Sequence, residues 1–518
     1  MFKRTTFIVL SLVLMISILG ACATQPQQTY QSEVPATSEP LSQTQPVEPI
    51  VQPTVQTNTP KYIFVFIGDG MSHVQVNAAQ VYRGNNTPGE VATQSLNFTQ
   101  FPVAGVATTY DATSFCPDSA STATAISSGV KTHSGVIGMQ VDKTTIAPSI
   151  TEQLKAAGMK IGIVSSVTIN HATPAAFYAH TPSRNEYYDI AMQLANSGFD
   201  YFAGGTISSP TGSDKDQTDA FEVIKSKGYA IADTTEAIRA LNADSGKVYA
   251  VSPVLQDSGA MPYTLDISGD SITLAEFVKK GIDVLDNEKG FFMMCESGKV
   301  DWACHANDAL SAIADVFGFE AAIQEAVDFA QLHPDETLIL VTGDHETGGL
   351  TIGYAATGYD TAFSILGNQK MSYVAFDALI GKMKEENPNM TLEEVLPVIK
   401  ENFGLMTSSD PDAANEANAA FVLSEREYEK LADGFAESMK ANDERTQTEE
   451  TALLYGGYDP LSISLTHIIN NKAGIGWTSY AHTGTPVPVY AMGAGSDIFG
   501  GSYDNTDIYK KLVEVIGL

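Results

Sequence analysis

The chain has 518 residues, 43% of them hydrophobic, which is enough apolar material for a sizeable core. Lysine and arginine total 29 against 61 acidic residues, so the formal charge at pH 7 is −32. A charge of this sign repels nucleic-acid backbones and argues against nucleic-acid binding through a basic surface. Any phosphate group bound by this chain must therefore meet local positive charge, such as metal ions or a single arginine.

Residues 1–21 predict an export leader. A basic start precedes an apolar run from Phe7 to Leu19, shorter than the ~20 residues of a membrane-spanning helix. The run ends in Leu-Gly-Ala-Cys, a pattern that resembles the lipobox of bacterial lipoproteins and predicts a lipid on Cys22. This would place the protein outside the cytoplasm, anchored at the bacterial cell surface or the periplasmic side of a membrane. The alternative is an ordinary signal peptide with an incidental cysteine.

Residues 22–60 predict a disordered tether. The segment holds seven of the 23 prolines, has no glycine and contains few large apolar residues, so it cannot bury a core. The rest of the chain, residues 61–518, would then be the folded domain, held away from a membrane surface.

From residue 61 onward, short apolar runs alternate with amphipathic segments. This pattern predicts an α/β fold with a central, mostly parallel sheet and helices on both faces. The first apolar run ends at Asp69, and a later one ends near His171 and Thr173. A helical stripe from residue 274 to 285 then precedes the strand FFMMCES, which contains Glu296.

Further along, the run TLILVTG leads into Asp344 and His345, and His482 stands just before a final strand. The last residues predict a helix. Polar side chains able to bind metal therefore recur at strand ends, where open α/β sheets place their active sites. Turn chemistry alone explains one or two such cases but not this many.

The segment VDWACH places Asp301 four residues before His305. If a helical turn begins there, the carboxylate and the imidazole share a face and can reach one ion. Three further cysteines, Cys116, Cys295 and Cys304, leave an odd count for disulfides. A Cys295–Cys304 bridge, which would close a short loop, is the expected pairing, and Cys116 is expected to be a packed thiol.

Six segments of the chain resemble, in the same order, those of the alkaline phosphatases, the metal-dependent phosphomonoesterases. They are FIGDGMS, CPDSASTATA, INHATPAAFYAHTPSR, CESGKVDWACH, VTGDHETGG and YAHTG. The resemblance covers most of the chain after the tether. It implies hydrolysis of phosphate monoesters with two zinc ions and one magnesium ion, and commonly a homodimer.

The resemblance also implies a role for each matched residue. The first zinc would be held by Asp301, His305 and His482, and the second by Asp69, Asp344 and His345. The magnesium site would take Asp69, Thr173 and Glu296, with His171 as an indirect participant. Ser119 would be the nucleophile that carries the phosphoserine, and Arg184 would bind the phosphate of the substrate. Ser121, Thr122 and Thr124 would pack or cap the helix that follows, and a purely capping role for Ser119 is the rival interpretation.

Two positions depart from many family members. His171 stands where many have an acid, which predicts a weaker or less selective magnesium site that zinc can invade. Trp302 stands where some have a lysine near the phosphate, so one positive charge is missing and phosphate binding is expected to be looser.

More than 130 residues separate His345 from His482, and a helical insertion is expected at about residues 355–478. Thr391 with Glu394, and Ser424 with Glu427, predict two helix starts within it. In position, the segment resembles the crown insertions that shape the active-site entrance and the dimer contact in some family members. A helical decoration without effect on substrate access is equally compatible with the sequence.

Three other functions remain as alternatives. A sulfatase of the same superfamily needs a modified cysteine in a Cys-x-Pro-Ser-Arg type motif, which FCPDSAS matches poorly. A phosphodiesterase usually lacks the Thr173 and Glu296 pair and the context of Arg184. A surface-tethered binding lipoprotein without catalysis predicts a broken ligand set, whereas every expected ligand is present.

Overall fold

The computed structural model describes residues 59–85 and 91–518. The predicted leader, Cys22 and all but the last two residues of the predicted tether lie outside this range. Within it, no helix combines the length and the apolar character needed to cross a membrane.

The described residues form fourteen strands: β1 (Tyr62–Gly68), β2 (Val103–Thr108), β3 (Lys160–Ser165), β4 (Tyr201–Gly204), β5 (Ala230–Ala232), β6 (Val248–Val251), β7 (Phe291–Ser297), β8 (Thr337–Gly343), β9 (Glu346–Thr347), β10 (Thr351–Ile352), β11 (Ile475–Gly476), β12 (His482–Thr483), β13 (Val487–Gly493) and β14 (Gly501–Asp504). Ten of them form one sheet in the order β14-β2-β13-β8-β1-β7-β3-β4-β6-β5. The other four form two small two-stranded ladders, β9 with β12 and β10 with β11.

Helices cover both faces of this sheet. They are α1 (His73–Gly84), α2 (Ser119–Ser128), α3 (Ile150–Ala156), α4 (Ala172–Ala175), α5 (Tyr187–Ser197), α6 (Ala220–Ser226), α7 (Thr235–Arg239), α8 (Leu274–Leu285), α9 (Lys299–His305), α10 (Ala309–Leu332), α11 (Tyr373–Glu386), α12 (Leu392–Phe403), α13 (Glu425–Ser438), α14 (Glu449–Tyr455), α15 (Pro460–Ala473) and α16 (Thr506–Ile516). The predicted α/β class with a mostly parallel sheet is confirmed.

Strand β1 lies near the centre of the sheet, and its side chains pack against apolar layers on both faces of the sheet. All seven of its side chains are buried, as expected of a parallel strand covered on both sides. Phe64 and Phe66 pack into one hydrophobic cluster, which includes residues of α8 and α10. Ile63 and Val65 pack into the other, with residues of α2, α5 and α16. The alternation of side chains along one strand thus joins two helical layers into one core.

The register of the central strands brings their carboxyl ends level. Gly68 of β1 pairs with Ser297 of β7 on one side and with Gly343 of β8 on the other. Glu296 and the residues that directly follow β1 and β8, Asp69 and Asp344, therefore meet at one edge of the sheet.

Two details of the strand prediction are wrong. Strand β3 ends at Ser165, so His171 and Thr173 are carried by the short helix α4 and its N-cap rather than by a strand end. The strand after His482 is not the last one, because β14 follows it. Strand β13 runs antiparallel to both of its neighbours, β2 and β8.

Helices α11 to α15 lie within the region expected to be an insertion. The two predicted capping boxes are present: the Glu394 carboxylate accepts the backbone N–H of Thr391 at 2.8 Å, and the Glu427 carboxylate accepts that of Ser424 at 2.8 Å. Helix α12 ends at Gly404, whose φ of +74° is the left-handed conformation that glycine adopts without strain.

Leu340 lies in the middle of β8 and is fully buried. We expect Leu340→Ala to lower the free energy of unfolding by about 2–5 kcal/mol, because it removes buried methyl groups and leaves a cavity in a close-packed core. The measurement is urea denaturation followed by circular dichroism. Leu453→Ala on α14 is the matched control, since that leucine is 73% exposed and a surface change shifts stability by about 0.5 kcal/mol or less. Equal shifts for the two variants would contradict the packing argument.

Candidate metal centre

Buried carboxylates converge at the carboxyl edge of the sheet. Asp69, Glu296, Asp301 and Asp344 are each at most 3% exposed. Burial, together with the neighbouring carboxylate of Asp344, raises the pKa of Asp69 well above its usual range. For the same reasons the pKa of Glu296 rises to about 7, and burial with Asp301 raises the pKa of Asp344 to about 6. Ionised together in an apolar interior, these groups need compensating positive charge.

The first cluster surrounds the Nε2 atom of His345. This atom lies 3.2 Å from Asp69 Oδ1, 3.4 Å from Asp344 Oδ2 and 3.1 Å from Ser119 Oγ. Thr347 Oγ1 donates its proton to Asp301 Oδ1, so at 3.3 Å from His345 Nδ1 it can only accept from that atom. The proton of the neutral imidazole is therefore on Nδ1, and the lone pair of Nε2 faces oxygen atoms. A lone pair set among anionic oxygens is the donor arrangement of a cation site.

The second cluster pairs His305 with His482. Their Nε2 atoms are 3.0 Å apart, and they lie 3.4 Å and 3.5 Å from oxygens of Asp301. Each Nδ1 donates to a main-chain carbonyl at 2.6 Å, that of Tyr480 for His305 and that of Pro117 for His482. A carbonyl can only accept, so both Nε2 lone pairs point into the gap between the rings. Two facing lone pairs repel unless a proton or a cation lies between them.

The two clusters adjoin each other. The rings of His345 and His482 stack at a centroid distance of 3.7 Å. Ligand atoms of Asp301, His345 and His482 also lie within 4.8 Å of one another. The candidate ligands of two cations therefore form one continuous site.

A third group of polar atoms lies on the other side of Asp69. Among the buried side-chain atoms of residues 59–85 and 91–518 that have no hydrogen-bond partner, four belong to this group: Asp69 Oδ2, His171 Nδ1, Thr173 Oγ1 and Glu296 Oε1. Ligand atoms of Asp69, His171 and Glu296 lie within 4.8 Å of one another. The other oxygen of Glu296 accepts from Ser165. Unpartnered buried polar atoms in one place are typical of a site that binds water or an ion.

Ser119 and Arg184 lie beside the candidate metal centre, Ser119 on helix α2 and Arg184 in a loop. Ser119 is the first residue of α2, and the N-cap of that helix is Asp118, whose side chain accepts the backbone N–H of Ser121. A purely capping role for Ser119 is therefore wrong. Arg184 Nη1 donates to Asp118 Oδ2 at 2.9 Å and Nη2 donates to His171 Nε2 at 3.2 Å. These bonds use two of the five guanidinium N–H groups.

A cavity of about 320 Å³ opens onto these groups. Seven residues of its lining were predicted from the sequence: Ser119, His171, Arg184, Asp301, Trp302, His305 and His482. Four others were not indicated by the sequence: Asp257, Ser258, Tyr373 and Tyr458.

The sequence model of the alkaline phosphatase family matches residues 60–203 and 197–518. Alkaline phosphatase 4 of Bacillus subtilis is 30% identical over 457 residues, which are 86% of each chain. The chain belongs to the alkaline phosphatase family. It is therefore an enzyme of the metal-dependent phosphatase class, which acts on phosphate monoesters.

Solved structures of alkaline phosphatases share this fold. The cold-active alkaline phosphatase of a psychrophilic Shewanella superposes with a TM-score of 0.71 at 27% identity, covering 88% of this chain and 99% of that one. A histidine-to-aspartate variant of the alkaline phosphatase from the Antarctic bacterium TAB5, with Mg bound in its M3 site, has a TM-score of 0.59 at 25% identity and covers 89% and 99%.

The structure brings together every predicted ligand, the serine and the arginine, but sequence patterns missed the side chains that hold them. Thr347 links the two histidine clusters through Asp301 and His345. Thr122, expected only to pack or cap, donates to Asp344 Oδ2 at 3.1 Å. Asp118 orients Arg184 across 66 positions of sequence. Such contacts give no periodicity or spacing signal, although the acid directly before Ser119 and the threonine of GDHETGG are visible in the sequence.

The expected Cys295–Cys304 bridge is wrong, because both thiols are free and buried in the described structure. Cys295 lies on β7, whereas Cys304 lies on α9 with its Sγ 3.9 Å from Gln75 Nε2. Burial raises the pKa of both thiols well above the ordinary value. Cys116 is exposed rather than packed, which corrects a second expectation.

Metal binding to this centre should release protons, and more of them at acidic pH. Below the raised pKa values of Glu296, about 7, and Asp344, about 6, the metal-free carboxyls carry protons that a cation must displace. Although burial lowers the pKa of His305, Asp301 outweighs it and raises the value to about 9, so this proton is displaced at pH 6 and pH 8 alike. We expect about one proton fewer released at pH 8 than at pH 6.

Calorimetric titration of metal-stripped protein, in buffers of different ionisation enthalpy, counts these protons. The same number at both pH values would contradict the pKa assignments.

Proposed function

We propose that this enzyme hydrolyses phosphate monoesters through a phosphoserine formed on Ser119. One observation carries the proposal: Ser119 Oγ lies 3.1 Å from His345 Nε2 and 3.4 Å from Asp69 Oδ1, inside the candidate metal centre. A serine hydroxyl placed among cation ligands can lose its proton more easily than in water.

The donor atoms fit two zinc ions and one magnesium ion. Imidazole nitrogens mixed with carboxylates suit zinc, so Asp301, His305 and His482 would hold one ion, and Asp69, Asp344 and His345 the other. Oxygen donors suit magnesium, so the unpartnered atoms of Asp69, Thr173 and Glu296 would hold the third. When bound, the cations would supply positive charge to the attacking and leaving oxygens of an in-line displacement.

The residues of the chain position the ester. Arg184, held by Asp118, presents its remaining N–H groups to the phosphate oxygens. Ser119 opens the ten-residue helix α2, so backbone N–H groups at the same end point toward a bound anion. The fixed fork of Arg184 and the helix end thus orient phosphorus toward the serine oxygen.

The reaction then has two steps. The oxygen of Ser119 forms a bond to phosphorus as the bond from phosphorus to the ester oxygen breaks, and the alcohol leaves after taking up a proton. Water next attacks the phosphoserine, the serine oxygen leaves, and inorganic phosphate is released. Ser119 regains its proton at the end of the cycle.

Ser119→Ala tests this proposal. Loss of the attacking oxygen should lower kcat/KM for p-nitrophenyl phosphate by about 10³-fold or more, while metal content, measured by mass spectrometry, stays near that of the wild type. Ser128→Ala, at the other end of the same helix, is the control and should keep its activity. Activity of Ser119→Ala close to that of the wild type would overturn the proposal.

A diester and a sulfate ester of p-nitrophenol belong in the same assay. The unpartnered atoms of Thr173 and Glu296 and the position of Arg184 support a preference for the monoester. Faster turnover of the diester or of the sulfate would instead favour one of the two superfamily alternatives.

His171 supports an indirect role at the third site. Its Nε2 accepts an N–H of Arg184, so the proton of the neutral ring is on Nδ1, the buried atom that has no hydrogen-bond partner of its own. Burial, followed by Arg184, lowers the pKa of His171 to about 3, which keeps the ring neutral. An N–H group can donate to a water molecule held there but cannot ligate a cation itself.

We expect His171→Asp to bind magnesium about 10-fold or more tightly than the wild type, because it adds a negative charge beside the site. The magnesium-bound TAB5 variant, also a histidine-to-aspartate change, gives a precedent within the family. Titration of metal-stripped protein with magnesium measures the difference. Equal affinity in the two proteins would show that the histidine does not weaken the site.

A lipid on Cys22 and a homodimer remain proposals, as does an active-site role for the helices at about residues 355–478. Tyr458, which lies among those helices and also lines the cavity, supports the last of these.

A further inference from the structure

Part of the cavity is built from aromatic rings that have no place among the candidate metal ligands. Trp302, on α9, and Tyr458, between α14 and α15, are half-buried and line it. Tyr373, the first residue of α11, also lines it and meets the ring of Tyr458 edge-on at a centroid distance of 5.8 Å. An ester whose phosphate lies at Ser119 and Arg184 has to extend its alcohol portion along the remaining lining.

A buried ammonium group lies behind these rings. The side chain of Lys299 is 0% exposed, and its Nζ lies 3.6 Å from the ring centroid of Tyr263 and 4.7 Å from that of Trp302. A cation over an aromatic face is attracted by the ring electrons, most strongly where water is excluded. Nζ also lies 3.3 Å from Asp257 Oδ2, in the cavity lining.

Lys299 connects the two aromatic sides of the cavity. Tyr263, beneath the ammonium, contacts Tyr373 at 5.8 Å between centroids, with their hydroxyls 3.3 Å apart. Contacts therefore run without a break from Trp302 through Lys299, Tyr263 and Tyr373 to Tyr458. Burying a lysine is costly and is tolerated where the charge is paired. Two contacts of Lys299, Asp257 and Trp302, line the cavity. A third, Tyr263, packs against the lining residue Tyr373.

The loop that contains Asp257 and Ser258 has strained backbone where it lines the cavity. Asp257 and Ser258 both have positive φ, +42° and +61°. Such a backbone is unfavourable for residues with a side chain and persists where the surroundings enforce it. The ion pair with Lys299 fixes Asp257 in this conformation, with Asp257 and Ser258 in the cavity lining.

We propose that Trp302 and Tyr458, backed by Tyr373, form a subsite for neutral, planar aromatic leaving groups, such as an aryl alcohol or a nucleoside, and that Lys299 is the positioning residue that holds it. Aromatic faces stack on planar rings and give no comparable contact to a small alkyl group. Asp257 and Lys299 compensate each other's charge, so this part of the lining offers no net charge to a charged leaving group. This inference rests on the proposed monoesterase activity.

The test compares benzyl phosphate with methyl phosphate. Both esters release a primary alcohol, so their reactivity is similar and the ratio of their kcat/KM values reports contacts with the ring. We expect the wild type to prefer benzyl phosphate, and Tyr458→Ala to lower that ratio about 3- to 10-fold, the range that one aromatic contact provides. Tyr428→Ala, which removes a ring from α13 outside the cavity lining, is the matched control and should leave the ratio unchanged.

Lys299→Met and Lys299→Arg test the positioning role. The methionine variant removes the charge and should lower the ratio, whereas arginine keeps a cation beneath Trp302 and should restore it at least in part. A loss of stability alone would reduce both esters equally and leave the ratio constant. If Lys299→Met does not fold, Tyr458→Ala decides.

An unchanged ratio in Tyr458→Ala, or an equal fall in Tyr428→Ala, would overturn the subsite. Hydrolysis of neither ester by the wild type would instead refute the proposed function. In that case calorimetry with benzylphosphonate and methylphosphonate still tests the subsite, and equal affinities for the two would refute it as well.

Discussion

The mutual repulsion of buried carboxylates is the constraint around which this molecule is organised. Asp69, Glu296, Asp301 and Asp344 lie almost fully buried at one edge of the sheet. Their charges cannot coexist there without cations or protons. The histidine rings are held so that their Nε2 lone pairs face the same space, by Thr347 and by the carbonyls of Tyr480 and Pro117. The fold therefore sets nitrogen lone pairs beside acidic oxygens, the donor arrangement of a cation site, before any substrate is present.

Rigid central strands make this arrangement possible. Strand β1 pairs along its whole length with β7 and β8, so the positions of Asp69, Glu296 and Asp344 follow from one hydrogen-bond register. A slip of one residue would turn these side chains to the opposite face. Two hydrophobic clusters, one on each side of the sheet, oppose such a slip. The packing of the core thus also fixes the geometry of the site, because both depend on the same strand register.

How much of this could be predicted from the sequence depends on how local each signal is. Apolar runs and helical stripes predicted the α/β class, its mostly parallel sheet and several of the helices, because burial and periodicity leave a pattern in neighbouring residues. The ligand types at strand ends predicted the centre as a group. The antiparallel placement of β13 and the free thiols of Cys295 and Cys304 could not be predicted in the same way. Both depend on which distant segments meet, as does the contact of Lys299 with Tyr263 and Trp302.

The position of β13 also has a consequence for how the protein is made. This strand, Val487–Gly493, lies between β2 and β8 in the interior of the sheet, although it is synthesised well after both of them. Until it arrives, the edge of β8 is unpaired and β2 has no strand that joins it to the rest of the sheet. Pairings between such distant segments form slowly and leave unpaired strand edges exposed while they wait. Completion of the sheet is therefore a late event in folding, and β8 keeps an open edge until Val487–Gly493 pairs with it.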